Sequence, residues 1–257
     1  WPCYRVSMAP SEVAILCGAF FVVAALYTTV GHAGASGYLA TMALVGLAPE
    51  VMRPTALTLN ILVAALTVYR FRRARFFHWS GLWPFLLGSV PFAAAGGIQS
   101  LSRGAYYAAM GVVLLLAAMY LVWRAIGLRT TMQEGVVRVR RIPAVFMGCV
   151  IGFISGLIGV GGGIFLSPTL LALNWAAPKT TAGISAPFIL VNSAVALVAG
   201  SLTVQTLPPE LPLLGAGALA GAFLGTWLGL DRLSQKGLLM TLAIVMSLAG
   251  AKLVLTA

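Results

Sequence analysis

Charged residues are scarce in this chain, and carboxylates are the scarcest of them. Of the 257 residues only 8% are charged and five are acidic, whereas 60% are hydrophobic and the mean hydropathy is +1.00. Apolar stretches follow one another along the whole sequence with short polar connections, which excludes a soluble enzyme and leaves no room for a separate soluble domain. We therefore predict one polytopic, all-α membrane domain over residues 1–257.

Histidine and cysteine are also few, and their spacing fits no catalytic or metal site. The chain holds His32, His78, Cys3, Cys17 and Cys149, with no HExxH pattern and no paired carboxylates. An intramembrane enzyme would need a nucleophile with a base, or a metal constellation. We predict that the protein is not an enzyme and uses no cofactor or metal.

Positive charge is the one charge present in excess, with a formal net charge of +11. Most of it lies in two arginine clusters between apolar segments, which is the positive-inside pattern of membrane proteins. No basic stripe with interleaved aromatic residues lies outside the apolar segments, so we predict no nucleic-acid binding. The clusters are Arg70, Arg72, Arg73 and Arg75, and then Arg124, Arg129, Arg138, Arg140 and Arg141.

The chain reads as two related halves, about 11–124 and 144–257, joined by a basic linker over 125–142. Landmarks recur at an offset of 132 residues: Cys17 with Cys149, Phe21 with Phe153, Gly31 with Gly163, Asn60 with Asn192, and Ser102 with Ser234. Each half holds four apolar segments, which we place at about 11–48, 54–70, 80–100 and 104–124, then 144–174, 179–200, 210–230 and 236–255.

The third segments carry small residues at every fourth position, which predicts close helix packing within lipid. The two ladders are related by an offset of 128 residues, and they are Ser89, Ala93 and Gly97, then Gly217, Gly221 and Gly225.

The first segment of each half is too long for one crossing and contains glycines near its middle. Each glycine costs about 1 kcal/mol relative to alanine in a helix, so Gly159, Gly161, Gly162 and Gly163 predict a break, with the next helix starting near Ile164. Such a break at membrane depth is tolerated where the backbone is buried in protein or faces water.

Two topologies follow from these long first segments. Eight full crossings would put 11 of the 16 Lys and Arg residues on one side, whereas a re-entrant hairpin in each half would put 12 there. Segment length favours the hairpins, and three crossings per half would make the halves inverted repeats, a recurring plan in transporters.

The second break has the sequence SGLIGVGGGIFLSPTLLAL (155–173), and the first has the weaker counterpart TTVGHAGASGYLATMALVGL (28–47). This pairing, in a chain of four plus four segments, resembles the TauE/SafE family of sulfite and organosulfur anion exporters. The resemblance implies export of small sulfur-containing anions across a bacterial inner membrane. The first copy departs from the triple-glycine form, with His32 to Gly37 in its place.

The residues themselves also support anion binding at the second break. A helix that restarts after a glycine turn presents unpaired N–H groups and the positive end of its dipole. We predict Gly161, Gly162 and Gly163 as backbone donors, and Ser155 and Ser167 as hydroxyl donors. The alternative is that these glycines serve only close helix packing.

The first half adds His32 and Ser36, which flank its break, and Asn60 and Asn192 occupy equivalent points on the second segments. His32 is a conventional proton carrier in the apolar core, so transport is either proton-coupled through it or driven by the membrane potential. Structural hydrogen bonding is the alternative for His32 and both asparagines.

Arg53 and Lys179 precede the second segments, where we expect them to snorkel to the headgroups or to attract anions to a vestibule. Our interpretation is a secondary transporter of sulfite or an organosulfonate. The alternatives are an anion channel and a non-transporting membrane scaffold, and a homodimer stays open.

Overall fold

The computed structural model describes residues 8–29, 31–127, 133–201, 207–229 and 235–256. Within them the chain forms ten helices: α1 Pro10–Thr28, α2 Ala35–Val45, α3 Pro49–Arg73, α4 Trp79–Ile98, α5 Arg103–Gly127, α6 Arg141–Ile158, α7 Gly163–Ala172, α8 Pro178–Gly200, α9 Leu211–Gly229 and α10 Gln235–Thr256. Six of these described helices, namely α1, α3, α4, α5, α6 and α8, are long and apolar enough to cross a membrane. The predicted all-α membrane class is confirmed, and so is the break of each first segment at its glycines.

The second-segment helices begin with proline. Pro49 and Pro178 occupy the first helical position of α3 and α8, after an extended alanine, where their fixed φ and missing N–H cost nothing. Helix α3 therefore begins five residues before the predicted start at 54 and takes Pro54 inside its second turn. This earlier start places Arg53 within the helix instead of ahead of it.

Both first segments reverse direction at their glycine turns. The ring of Tyr38 in α2 lies 4.9 Å from that of Phe20 in α1, so α2 runs back along α1. The amide of Arg138, just before α6, donates to the carbonyl of Trp175, just after α7, at 2.8 Å. Hairpin 1 (α1 and α2) and hairpin 2 (α6 and α7) thus each return to the end from which they started.

The small-residue ladders pack helices of one half against those of the other. Helix α4 places Ser89 and Ala93 against Gly152 and Gly156 of α6, and the ladder of α9 meets backbone carbonyls of α1. A methyl group at any of these α6 glycines would collide with the α4 backbone. The prediction that the ladders serve close helix packing is confirmed. Helices α3 and α8 also contact each other across the halves, as do α5 and α10.

Candidate functional site

The two helices that follow the breaks both begin at a glycine with positive φ. Gly34 (φ 98°) caps α2 and Gly162 (φ 79°) caps α7, and neither cap has a side-chain hydrogen bond. These caps are 128 residues apart, so the breaks align four residues away from the predicted pairing of Gly31 with Gly163. In α7 the amides of Phe165 and Leu166 both donate to the Gly162 carbonyl at 3.1 Å, whereas the amides of the first helical residues have no acceptor within the helix.

The breaks meet in the interior of the protein. His32 Nε2, in the first break, lies 3.0 Å from the carbonyl oxygen of Gly163, the first residue of α7. It also lies 2.8 Å from Ser167 Oγ, which in turn lies 2.9 Å from Ser185 Oγ on α8. Since a carbonyl oxygen can only accept, the contact with Gly163 requires a hydrogen on Nε2. Ser167 can then accept from the same N–H group and donate to Ser185.

A second polar cluster lies against Gly161, in the turn before α7. Asn60 Nδ2 of α3 donates to Ser193 Oγ of α8 at 3.3 Å. A Cβ built at Gly161 would lie 2.5 Å from that nitrogen and 2.8 Å from that oxygen, so only a residue without a side chain fits between them. Asn60 Oδ1 and Ser155 Oγ are buried without a hydrogen-bond partner among the described residues.

Ser36 and Asn192 are held by other contacts. Ser36 Oγ lies 2.8 Å from the hydroxyl of Tyr27, which donates to the sulfur of Met246 at 3.1 Å. Asn192 Nδ2 donates to the carbonyl of Phe188 in its own helix at 2.9 Å. The structural alternative therefore describes the amide nitrogen of Asn192, and Ser36 reaches the site only through the shell around His32.

The site is closed. A cavity beside the first break has about 10 Å³ of space, lined among others by Tyr27, His32, Tyr120, Ile164 and Met246. That volume holds about one water molecule. A pyramidal or tetrahedral oxyanion would fit only if the hairpins moved apart.

Arg53 lies at the end of α6, next to the second break, and not at the headgroup level that we expected. It is 7% exposed, and its guanidinium donates to four backbone carbonyls and to no carboxylate among the described residues. Three of these carbonyls lie at the end of α4 (Gly96, Gly97 and Gln99, at 3.0, 2.6 and 2.9 Å), and one belongs to Gly156 of α6 (2.7 Å). The last carbonyls of a helix lack intrahelical donors and carry partial negative charge, which explains why a cation is stable here.

The neighbourhood of Arg53 extends into the turn. A Cβ at Gly159 would lie 3.0 Å from Arg53 Cγ. The hydroxyl of Tyr106 donates to the carbonyl of Ile158 at 2.9 Å. Arg53 Nε is buried and has no acceptor among the described residues. Lys179, by contrast, is exposed, with its ammonium 5.8 Å from the ring of Phe76.

The structure thus brings most of the predicted residues together in two clusters. Gly163, Ser167 and His32 meet in one, and Gly161 and Asn60 in the other, while Ser155 lies under Gly162. Sequence reasoning missed Ser185, Ser193 and the inward position of Arg53. The two serines had a signal, because Ser185, Ile189 and Ser193 recur every fourth residue and so share one face of α8.

The comparisons with known proteins agree with this architecture. The family model "Sulfite exporter TauE/SafE" matches residues 16–253. A relative from Sinorhizobium fredii, "Probable membrane transporter protein y4hK", is 35% identical over 241 residues, which cover 91% of this chain and 95% of the relative. No solved structure shows a significant match to this chain.

Proposed function

We propose that this chain, which belongs to the TauE/SafE family of membrane transporters, is a secondary exporter of small sulfur-containing anions such as sulfite or organosulfonates. The observation that carries the proposal is the junction of the two breaks, where His32, Gly163 and Ser167 are in hydrogen-bond contact. Two interrupted helices that meet inside a membrane domain are the typical site plan of such carriers.

The chemistry of the junction favours an anion. The start of α7 offers free amides and the positive end of a helix dipole, and Ser155 supplies a buried hydroxyl with no partner among the described residues. A buried unpaired polar group costs about 1–3 kcal/mol, and an oxyanion that accepted this hydroxyl hydrogen would remove that cost. Arg53 adds a full positive charge behind the turn.

The closed site favours alternating access over an open pore. Space for about one water beside His32 fits a carrier that occludes its substrate better than it fits the alternative of an anion channel. We propose that the halves, residues 11–124 and 144–257, are inverted copies that rock against each other. The pairing of α4 with α6 and of α9 with α1 supports this, because each third segment packs on the first segment of the other half.

We further propose an orientation in a bacterial inner membrane. Helix ends at Arg73, Arg141 and Pro178 lie on the arginine-rich side, which the positive-inside rule assigns to the cytoplasm. An anion is then driven outward by a membrane potential that is negative inside. Proton coupling through His32 is the alternative source of energy.

Flux into proteoliposomes tests the proposal. Radiolabelled sulfite would be compared with sulfoacetate, taurine, sulfate and thiosulfate, with the membrane potential and the pH gradient set independently. We expect saturable flux of one sulfur anion, accelerated by the same anion on the opposite side. Flux that grows linearly with concentration would indicate the channel, and folded protein without flux of any of these anions would contradict the substrate class.

A further inference from the structure

A groove on the surface of the protein lies between the arginine-rich end of α3 and the neighbouring part of α9. Its volume is about 550 Å³, and its described lining contains two arginines and no acidic residue. The lining residues are Leu66, Tyr69, Arg70, Arg73, Ala74 and Phe223. None of them belongs to the site between the hairpins.

The basic mouth of the groove is ordered by aromatic residues. The guanidinium carbon of Arg70 lies 4.5 Å from the centre of the Phe223 ring, and Arg73 Nη1 donates to the hydroxyl of Tyr69 at 3.4 Å. Stacking occupies the face of a guanidinium and leaves the N–H groups at its edge for a phosphate. Two fixed forks at one mouth suit an anion with several oxygen atoms.

The groove becomes apolar away from this mouth. Leu62 of α3 contacts the position of Gly215 of α9 at 3.3 Å, and eight residues later on both helices Arg70 meets Phe223. The two helices therefore run parallel there, and the eight residues span about 12 Å. Leu62 is 37% exposed and Phe223 60% exposed, so the wall between the two contacts presents apolar surface.

A ligand that matches this gradient carries a phosphate at one end and a hydrocarbon chain at the other. We propose that the groove is a binding site for an anionic phospholipid, with its phosphate between Arg70 and Arg73 and an acyl chain along Leu62, Leu66 and Phe223. A soluble anion would use the mouth alone and would leave the apolar wall without a role. Basic pockets between helices at the cytoplasmic membrane surface bind such headgroups in general.

Native mass spectrometry of the purified full chain, titrated with phosphatidylglycerol and with phosphatidylcholine, tests this site. We expect preferential binding of phosphatidylglycerol by the wild-type chain. The double variant Arg70→Gln/Arg73→Gln should lose about thirty-fold in that affinity, at about five-fold for each arginine near an anionic lipid. The double variant Arg72→Gln/Arg75→Gln removes the same charge from the same end of α3, outside the groove lining, and should retain the preference.

Three results would overturn the proposal: no preference in the wild-type chain, equal losses in the two double variants, or displacement of the lipid by equimolar inorganic phosphate. The last would identify a site for a free anion. Phe223→Ala keeps every charge while it removes the stacking and part of the apolar wall. Should the arginine double variant fail to fold, this variant still tests the site, since it should also weaken phosphatidylglycerol binding and an unchanged affinity would count against it.

Discussion

Replacing Arg53 by methionine removes the cation that joins the ends of α4 and α6. The change leaves four buried carbonyl oxygens without their donor. Breaking a buried charged network from one side costs about 3–5 kcal/mol. Part of that cost is offset because a charge without a carboxylate partner is also removed, and the carbonyls that remain are neutral dipoles. We therefore expect Arg53→Met to lower the free energy of unfolding by about 2–4 kcal/mol.

The lysine variant separates charge from geometry. An ammonium keeps the positive charge, but it is a compact donor that cannot reproduce the planar fork of arginine, which here reaches carbonyls of both α4 and α6. We expect Arg53→Lys to lose about half as much stability as Arg53→Met. If the charge also serves the anion, Arg53→Lys retains measurable flux while Arg53→Met and Arg53→Gln lose it.

Thermal and denaturant unfolding in detergent would measure stability, and proteoliposome flux per folded protein would measure transport. Arg72→Met, at an exposed position outside the site, is the control for the loss of one positive charge. An Arg53→Met chain that is as stable as the wild type, or that transports at the wild-type rate, would refute the reasoning from these four contacts.

Three further substitutions test the site and the packing. Ser167→Ala removes a hydroxyl that contacts His32 and Ser185, and should raise the apparent KM for the anion about five- to ten-fold, as expected for one lost hydrogen bond to a charged group; Ser201→Ala, whose exposed hydroxyl bonds only to its own helix, should leave it unchanged. Gly152→Ala, whose methyl group would meet the backbone of Ser89, should cost about 1–3 kcal/mol of stability in thermal unfolding, whereas Gly18→Ala, with nothing within 4 Å, should be neutral or gain up to about 1 kcal/mol. His32→Gln should abolish the dependence of flux on an imposed pH gradient if coupling runs through that imidazole; a dependence that survives the change would assign coupling elsewhere.

The local features of the fold could be predicted from the sequence because each has a local cause. Glycine clusters interrupt helices wherever they stand, so the break before α7 was expected within one residue of its actual position at Gly163. Small residues at every fourth position predict packing without naming the partner. The earlier start of α3 could not be decided in this way, because Pro49 and Pro54 are both plausible first-turn prolines.

The missed residues depend on contacts between the halves. Ser185 and Ser193 matter because α8 lies against both breaks, and no spacing within α8 states which helix its polar face meets. Arg53 was expected at the headgroups because an arginine ahead of an apolar segment ordinarily snorkels. Its burial depends on the ends of α4 and α6, which are about 45 and 100 residues away in the chain and carry carbonyls that need a donor.

The second break creates two sites of opposite preference from one helix. The end of α6 exposes carbonyls and attracts a cation, which is Arg53, while the start of α7 exposes amides and attracts an anion. The first break lacks the first of these, since the end of α1 is capped by neutral hydroxyls: Thr28 Oγ1 donates to Ala24 and Thr29 Oγ1 to Leu26. An anion at the second break therefore gains both a helix dipole and a full positive charge, whereas one at the first break gains a dipole alone. This difference assigns substrate binding in our proposal to the start of α7, with hairpin 1 contributing His32 as the group that closes over it.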